Sequence, residues 1–175
     1  MSHEGLSVEI DLAPMREIDL DEVLRIERAS FSSPWSRKMF QAEFAATPFS
    51  FSWVVRAKGE TRIIGYLCFW VVFDEVHLVN LAIDPEYRRK GVGEETVRRA
   101  LKLGQAPGGR TAYLEVRVSN HAAVNLYKKI GFAQYGVRRD YYTDPKEDAL
   151  LLSLRYSGGH HEERHGPAAD PKEQP

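Results

Sequence analysis

The sequence predicts one α/β domain built around a mixed β-sheet. Three observations carry this. Short β-prone runs alternate with segments whose apolar residues recur at helical spacing. One strand-like run leads straight into a glycine-bearing loop that opens a helix. The order strand, two helices, three strands, helix, strand, helix, two strands places the folded domain in residues 1–156. Residues 157–175 lack apolar side chains that could pack, so they read as a disordered, solvated tail despite their histidines.

Leu6, Val8 and Ile10 alternate with polar residues as a first strand, and Pro14 interrupts it. Asp19, with Glu22 three residues on, gives a capping-box-like start to a first helix through Leu20, Val23, Leu24 and Glu27-Arg28-Ala29. After the loop Phe31-Ser32-Ser33-Pro34-Trp35-Ser36, Ser36 caps a second helix, and Trp35 with Phe40 forms its hydrophobic staple. Phe40 and Phe44 share the inner face of that helix, and Pro48 lies beyond its end. Phe51 to Ala57 and Ile63 to Phe73 read as a hairpin around Lys58-Gly59-Glu60, followed by a strand from Val76 to Ile83. A helix with Val97, Ala100, Leu101 and Gly104 on one face ends before Pro107-Gly108-Gly109. Thr111 to Val118 is a strand, and Ser119-Asn120 begins a helix whose Ala123, Leu126, Tyr127 and Ile130 share a face and which Gly131 closes. Phe132 to Arg139 and Leu150 to Arg155 are the last strands, joined by Asp140 to Asp148.

A chain of 175 residues with 43% hydrophobic content supports one sizeable core. A net charge of −1 excludes a broad nucleic-acid footprint, so any basic feature must be local. The single cysteine, Cys68, cannot form an internal disulfide, and its apolar surroundings in sequence mark it as packing rather than a nucleophile. The run Ile63 to Phe73 is too short to span a bilayer as a helix, and the N-terminus shows no basic region followed by an apolar segment. A cytoplasmic protein without membrane or nucleic-acid partners is expected.

The loop Asp84-Pro85-Glu86-Tyr87-Arg88-Arg89-Lys90-Gly91-Val92-Gly93 is the strongest functional signal. Proline has no N–H for a strand ladder, so Asp84-Pro85 stops the preceding strand. Glycine lets backbone approach a ligand closely, and a helix N-terminus offers free N–H groups and positive dipole to phosphate. Two common phosphate loops fail. The Walker pattern needs Gly-Lys-Ser/Thr where Gly93-Glu94-Glu95 stands, and the dinucleotide fingerprint needs a third glycine where Thr96 stands. A basic turn with a glycine cap is the plain alternative to anion binding.

The pattern Arg88-x-x-Gly91-x-Gly93 after such a strand resembles the acyl-coenzyme-A loop of the GNAT superfamily of N-acetyltransferases. The resemblance runs from about residue 5 to residue 156 and implies the GNAT acyl-CoA N-acyltransferase fold, a mixed central sheet flanked by helices. It implies acetyl-coenzyme A as cosubstrate, no metal and no covalent enzyme intermediate. Arg88, Arg89, Lys90, Gly91, Val92, Gly93 and Glu94 would bind the pyrophosphate. Leu81, Ala82 and Ile83 would pair with the pantetheine arm, one amide polarising the thioester carbonyl. Glu94 departs from the family, which often has a basic or small residue there. Its carboxylate suits a first helical turn but would repel pyrophosphate, with Arg88, Arg89 and Lys90 as the offsetting charges.

Glu115 interrupts the apolar run Tyr113-Leu114-Glu115-Val116-Arg117-Val118, and by alternation it shares a face with Tyr113 and Arg117. That face fits a solvated surface as well as a site. The phrase Leu114-Glu115-Val116-Arg117-x-Ser119-Asn120-x-Ala122-Ala123-x-x-Leu126-Tyr127-x-x-x-Gly131-Phe132 closely resembles the ribosomal-protein alanine N-acetyltransferases of the RimI type. The resemblance makes Glu115 the general base, Tyr127 the general acid and Asn120 a coenzyme contact. Core packing of the Tyr127 ring is compatible with a hydroxyl in the cleft. An α-amino group has a reference pKa near 8 against roughly 10.4 for lysine, so about a tenth is already free at neutral pH and a modest base suffices. Full proton transfer from a phenol to a thiolate is uphill by about 2 kcal/mol in water. Tyr127 is therefore expected to donate a strong hydrogen bond to the departing sulfur, with transfer completed late.

Two further matches concern the acceptor. Phe31-x-x-Pro34-Trp35-Ser36 resembles the family's loop between its first helices, and Arg138-Arg139-Asp140-Tyr141-Tyr142 with Glu147-Asp148-Ala149 resembles its closing hairpin. Trp35, Arg138, Tyr141 and Tyr142 become candidate acceptor-binding residues. An ordinary polar hairpin end explains the last three equally well. Asp140 and Thr143 stand where the family often has Asn and Pro. The expected activity is transfer of acetyl to a protein N-terminus, the alanine of ribosomal protein bS18 being the target the resemblance implies. A lysine or small-amine acceptor is one rival. A coenzyme-A-binding regulatory module without turnover is another, favoured by Glu94 and opposed by Glu115 with Tyr127.

Overall fold

The computed structural model describes residues 8–46, 48–105 and 109–155. The strand start at Leu6, part of the Pro107-Gly108-Gly109 stop and the tail from Ser157 lie outside them. Seven strands form one sheet in the order β1-β2-β3-β4-β5-β7-β6. They are β1 (Ile10–Pro14), β2 (Ser50–Ala57), β3 (Ile63–Val72), β4 (Glu75–Ile83), β5 (Thr111–Arg117), β6 (Ala133–Thr143) and β7 (Lys146–Arg155). The helices are α1 (Leu20–Ser30), α2 (Arg37–Ala45), α3 (Val92–Gln105) and α4 (His121–Ile130). Among the described residues only β4 and β5 are parallel neighbours, and α3 lies in the crossover that such a connection requires.

Alternation along β3 separates the two faces. Tyr66 and Cys68 pack with Leu20, Val23 and Ile26 of α1 and Phe40 of α2. Leu67 and Phe69 pack with Val97, Ala100 and Leu101 of α3 and Val124 of α4. With helices on both sides β3 reads as a continuous apolar run rather than an alternating one. Cys68 is fully buried, and burial pushes its thiol up to about 12. The α3 face expected at Val97, Ala100, Leu101 and Gly104 is buried, and Gly131 ends α4 in a left-handed conformation, φ 118°. Ser36 caps α2 through Met39 N–H at 3.4 Å, and Trp35 lies 5.2 Å from Phe40 ring to ring.

Three expectations shift. Pro14 belongs to the first strand rather than interrupting it, because β1 is an edge with one neighbour and needs no second ladder donor. Asp19 precedes α1 without capping it. Its buried carboxylate takes Arg16 N–H at 2.8 Å and Arg56 at 3.0 Å, while Glu22 accepts Ile63 N–H at 3.0 Å. The turn just before the helix, with donors from β2 and the start of β3, takes both carboxylates from the cap. The last hairpin is longer than expected, because β6 and β7 continue through most of Asp140 to Asp148 to a tight turn. The Arg117 guanidinium holds that turn through the carbonyls of Asp144 and Pro145 at 3.0 and 2.9 Å.

Candidate active site

Strands β4 and β5 pair only from Glu75 with Thr111 to Leu78 with Leu114. Beyond that point they part, so Val79–Ile83 on β4 and Glu115–Arg117 on β5 face each other across a gap. The gap opens into a cleft of about 1810 Å³, larger than one small-molecule pocket and roomy enough for two substrates. Leu81, Ala82 and Ile83 line it, leaving a strand edge with no strand against it.

The glycine loop forms one rim. Arg89 (φ 58°) and Gly91 (φ 79°) are left-handed, folding the loop tightly before α3. Gly91 is the residue type that adopts this geometry without cost. A Cβ on Gly93 would meet Leu126 at 3.4 Å and Ile83 at 3.6 Å, ordinary contact distances, so α3 starts against α4 and β4 without needing glycine for the fit. Arg88, Arg89, Gly91, Gly93 and Glu94 line the cleft. The side chains of the other two expected loop residues, whose proposed contribution is the main chain, lie elsewhere. Lys90 lies over the Tyr87 ring at 5.2 Å, and Val92 is buried with Ile10, Val55 and Ile83. Arg88 also departs from a purely phosphate-facing role: it donates to Ile83 O at 2.9 Å and to Ser30 Oγ, at the end of α1, at 2.8 Å. Glu94 is neutralised from another side than expected, by Lys129 of α4 at 2.6 Å and Arg98 at 2.9 Å, which hold its pKa below the usual carboxylate range. Asn120 lines the cleft while its Oδ1 caps α4 through Ala123 N–H at 3.2 Å.

Glu115 and Tyr127 line this one cleft from β5 and α4. Ala112, Leu114 and Val116 are buried beneath α3 and α4, so strand alternation turns Glu115 to the opposite, half-buried face. Tyr127 is only 8% exposed; burial first, then the neighbouring Tyr142, raises its pKa well above the phenol range. Tyr142 is pushed up to about 12 by burial and then by the charge of Glu115. Both phenols therefore stay protonated at neutral pH.

The wall where the sequence expects the acceptor is built by side chains. Arg117 stacks over the Tyr142 ring at 4.1 Å and meets Glu147 at 3.3 Å. Glu147 in turn accepts Ser119 Oγ at 3.0 Å, tying the β6–β7 hairpin to the start of α4. Arg138 lies over Tyr141 at 5.1 Å, and Tyr141 meets Tyr142 edge to face at 5.0 Å. Ser32 donates to Asp144 O at 3.3 Å, so the α1–α2 loop and the hairpin tip close over the cleft. Trp35, Arg138, Tyr141 and Tyr142 all line it.

Glu27 also lines the cleft and is absent from the sequence-derived site residues. It is 1% exposed, and burial holds its pKa up to about 7. The available signal was its place seven residues after Leu20, on the apolar stripe of α1. Among the described residues no three His, Cys, Asp or Glu side chains converge as a metal cage, and no helix is long and apolar enough to cross a membrane.

Residues 20–132 match the Acetyltransferase (GNAT) family, well over half of the chain. The chain belongs to the GNAT family. A Bacillus subtilis (strain 168) protein named "Putative ribosomal protein bS18-alanine N-acetyltransferase" is 43% identical over 138 residues, covering 79% of this chain and 90% of that protein. The ribosomal protein bS18-alanine N-acetyltransferase of Escherichia coli (strain K12) is 33% identical over 148 residues, covering 83% and 97%. A crystal structure of the Escherichia coli ribosomal-protein-S18-alanine N-acetyltransferase superposes with a TM-score of 0.76 at 30% identity, covering 90% of this chain and 100% of that one. The seven-stranded sheet with its four helices is thus the GNAT fold, and this GNAT protein is an acetyl-coenzyme-A-dependent N-acetyltransferase.

Proposed function

We propose that this GNAT enzyme acetylates the N-terminal alanine of ribosomal protein bS18. One observation carries the reading: a cleft between parting strands is lined at once by Glu115, Tyr127, the bare β4 edge and a two-loop roof. Relatives named for that acceptor, 43% and 33% identical across most of the chain, support the choice.

The site fits acetyl-coenzyme A. The amides near Gly91 and Gly93 suit a pyrophosphate at the start of α3. The edge from Leu81 to Ile83 offers main-chain partners to an extended amide-bearing arm and fixed dipoles to the thioester carbonyl. Bound there, the cosubstrate supplies the acyl group and a thiolate leaving group. Glu115 takes the proton of the attacking amine, directly or through a water. Tyr127, kept protonated by burial, donates to the departing sulfur. Arg138, Tyr141, Tyr142 and Trp35 hold the first residues of the acceptor chain.

The lysine and small-amine readings keep the site and change the acceptor. The regulatory-module reading loses its support, since Glu94 is neutralised within the protein. Purified protein is given acetyl-coenzyme A with a hexapeptide of the bS18 N-terminus, the same peptide with a blocked amine, and a lysine peptide. Mass spectrometry should find one acetyl group on the α-amine of the first alone. Equal acetylation of the lysine peptide would refute the acceptor.

A further inference from the structure

We propose that Glu27 is a positioning residue for the acceptor: its carboxylate, sealed beneath α1, fixes the loop between α1 and α2 that forms one wall of the cleft. Three donors from three elements converge on it. Trp35 N–H of the loop donates to Oε1 at 2.7 Å. The Tyr66 hydroxyl of β3 and, at 3.4 Å, the Asn80 amide of β4 donate to Oε2. Asn80 directly precedes the bare edge Leu81–Ile83, so one carboxylate ties the acceptor wall to the strand that meets the thioester.

Packing alone gives no reason for a carboxylate here. The stripe Leu20, Val23, Leu24 continues onto position 27, where a leucine would pack at no desolvation cost. Among the described residues no Lys or Arg pairs with Glu27, and a buried carboxylate without a cation is costly. What the carboxylate supplies, and no apolar side chain can, is an acceptor on each of two oxygens. The loop's other polar holds come from outside, through Arg88 on Ser30 and Ser32 on Asp144, while its Phe31 and Trp35 rings pack on the core beside Phe40. Glu27 adds the buried polar hold, on the Trp35 main chain.

The hold is sensitive to protonation. Ionised, Glu27 accepts from all three donors; protonated, one oxygen carries a proton and donates to the Tyr66 hydroxyl or to Asn80 Oδ1, and the other keeps only a weaker, uncharged hydrogen bond from Trp35 N–H. With its pKa raised to about 7 by burial, this change falls in the neutral range. The titratable groups facing it are the Tyr66 hydroxyl and the Cys68 thiol of β3. β4 contributes neutral Asn80, the loop only an amide, and Glu43 of α2 reaches as far as Cys68.

The inference rests on the acceptor proposed above, so the test has an arm that needs no acceptor. Hydrogen exchange on the whole chain compares the wild type with Glu27→Gln at pH 8. The expected result is Trp35 N–H exchanging about tenfold faster, the loss of a charge-assisted hydrogen bond, with the Leu114–Val116 amides of β5 unchanged. In steady-state assays the acceptor KM should rise about tenfold while kcat and the acetyl-coenzyme-A KM stay within about twofold. The wild-type acceptor KM, corrected for amine ionisation, should fall as pH rises through about 7, and Glu27→Gln should be flat. Unchanged Trp35 exchange overturns the inference. So does a fall in kcat with both KM values constant, the mark of a smaller folded fraction. Should Glu27→Gln not fold, Tyr66→Phe removes one donor and must shift exchange the same way, to a smaller degree; no shift there also overturns it. If the wild type leaves the hexapeptide unmodified, the named acceptor fails and the exchange arm alone decides.

Discussion

The two walls of the cleft are built differently. The wall proposed for the cofactor is main chain: a bare strand edge from Leu81 to Ile83, a loop turned by left-handed Arg89 and Gly91, and the start of α3. The wall proposed for the acceptor is side chain: Glu27 under Trp35, Arg117 over Tyr142, and Glu147 on Ser119. Main-chain geometry is set by local residue types and tolerates most side-chain changes around it. A wall of side chains depends on partners from different elements, from 8 to 28 residues apart, so it can be retuned residue by residue. A common cosubstrate and a particular acceptor call for that division.

Mutations can break the comparison by acting on one wall only. The largest effect belongs to neither wall but to the chemistry between them: Glu115→Gln should lower kcat by about 100- to 10,000-fold at neutral pH, with acetyl-coenzyme-A affinity unchanged by calorimetry. Tyr127→Phe comes next, with kcat down about 10- to 100-fold and both KM values steady in initial-rate measurements. Gly91→Val forces a branched residue into φ 79°. It should raise the acetyl-coenzyme-A KM about tenfold, from roughly 1–2 kcal/mol of backbone strain, while acceptor KM moves little. Arg117→Ala should do the reverse, raising acceptor KM about fivefold through loss of a cation–π contact and a partly buried ion pair. If Gly91→Val and Arg117→Ala shift the same KM, the two walls are not independent.

The smallest effect is on stability. The folded-state pKa of Glu27 is raised above its ordinary 4.5 to about 7. The folded state therefore binds more protons in that window, and its stability from this group is present below it and lost as pH rises through about 7. Glu27→Gln should flatten that slope in urea melts run between pH 5 and pH 8.

The contrast also explains what could be read ahead of the structure. The strand, loop and helix at Val76–Gly104 were legible because each step is a local rule: apolar alternation, a proline stop, glycine, then helical spacing. Glu115 stood out as a carboxylate in an apolar strand. A pattern places Lys90 and Val92 in the loop by their main chain and says nothing of their side chains, which the fold sends to the Tyr87 ring and to the core. Lys129 as partner of Glu94 was out of reach, since 35 residues separate them and only the packing of α4 on α3 joins them. The hairpin was read short because polar residues from Asp140 to Asp148 look like a loop until Arg117 is seen holding their turn.

Sequence by itself determined the order of elements, the faces of α3 and α4, the glycine loop, and a carboxylate with a phenol carried by neighbouring elements. These follow from periodicity and residue type over a few positions. Only the tertiary structure decided where β4 and β5 part, which charge neutralises Glu94, and that Glu27 turns inward to hold Trp35. Each of those depends on which distant segments come to share one dry space, and there a polar group must find its partner wherever the fold supplies one.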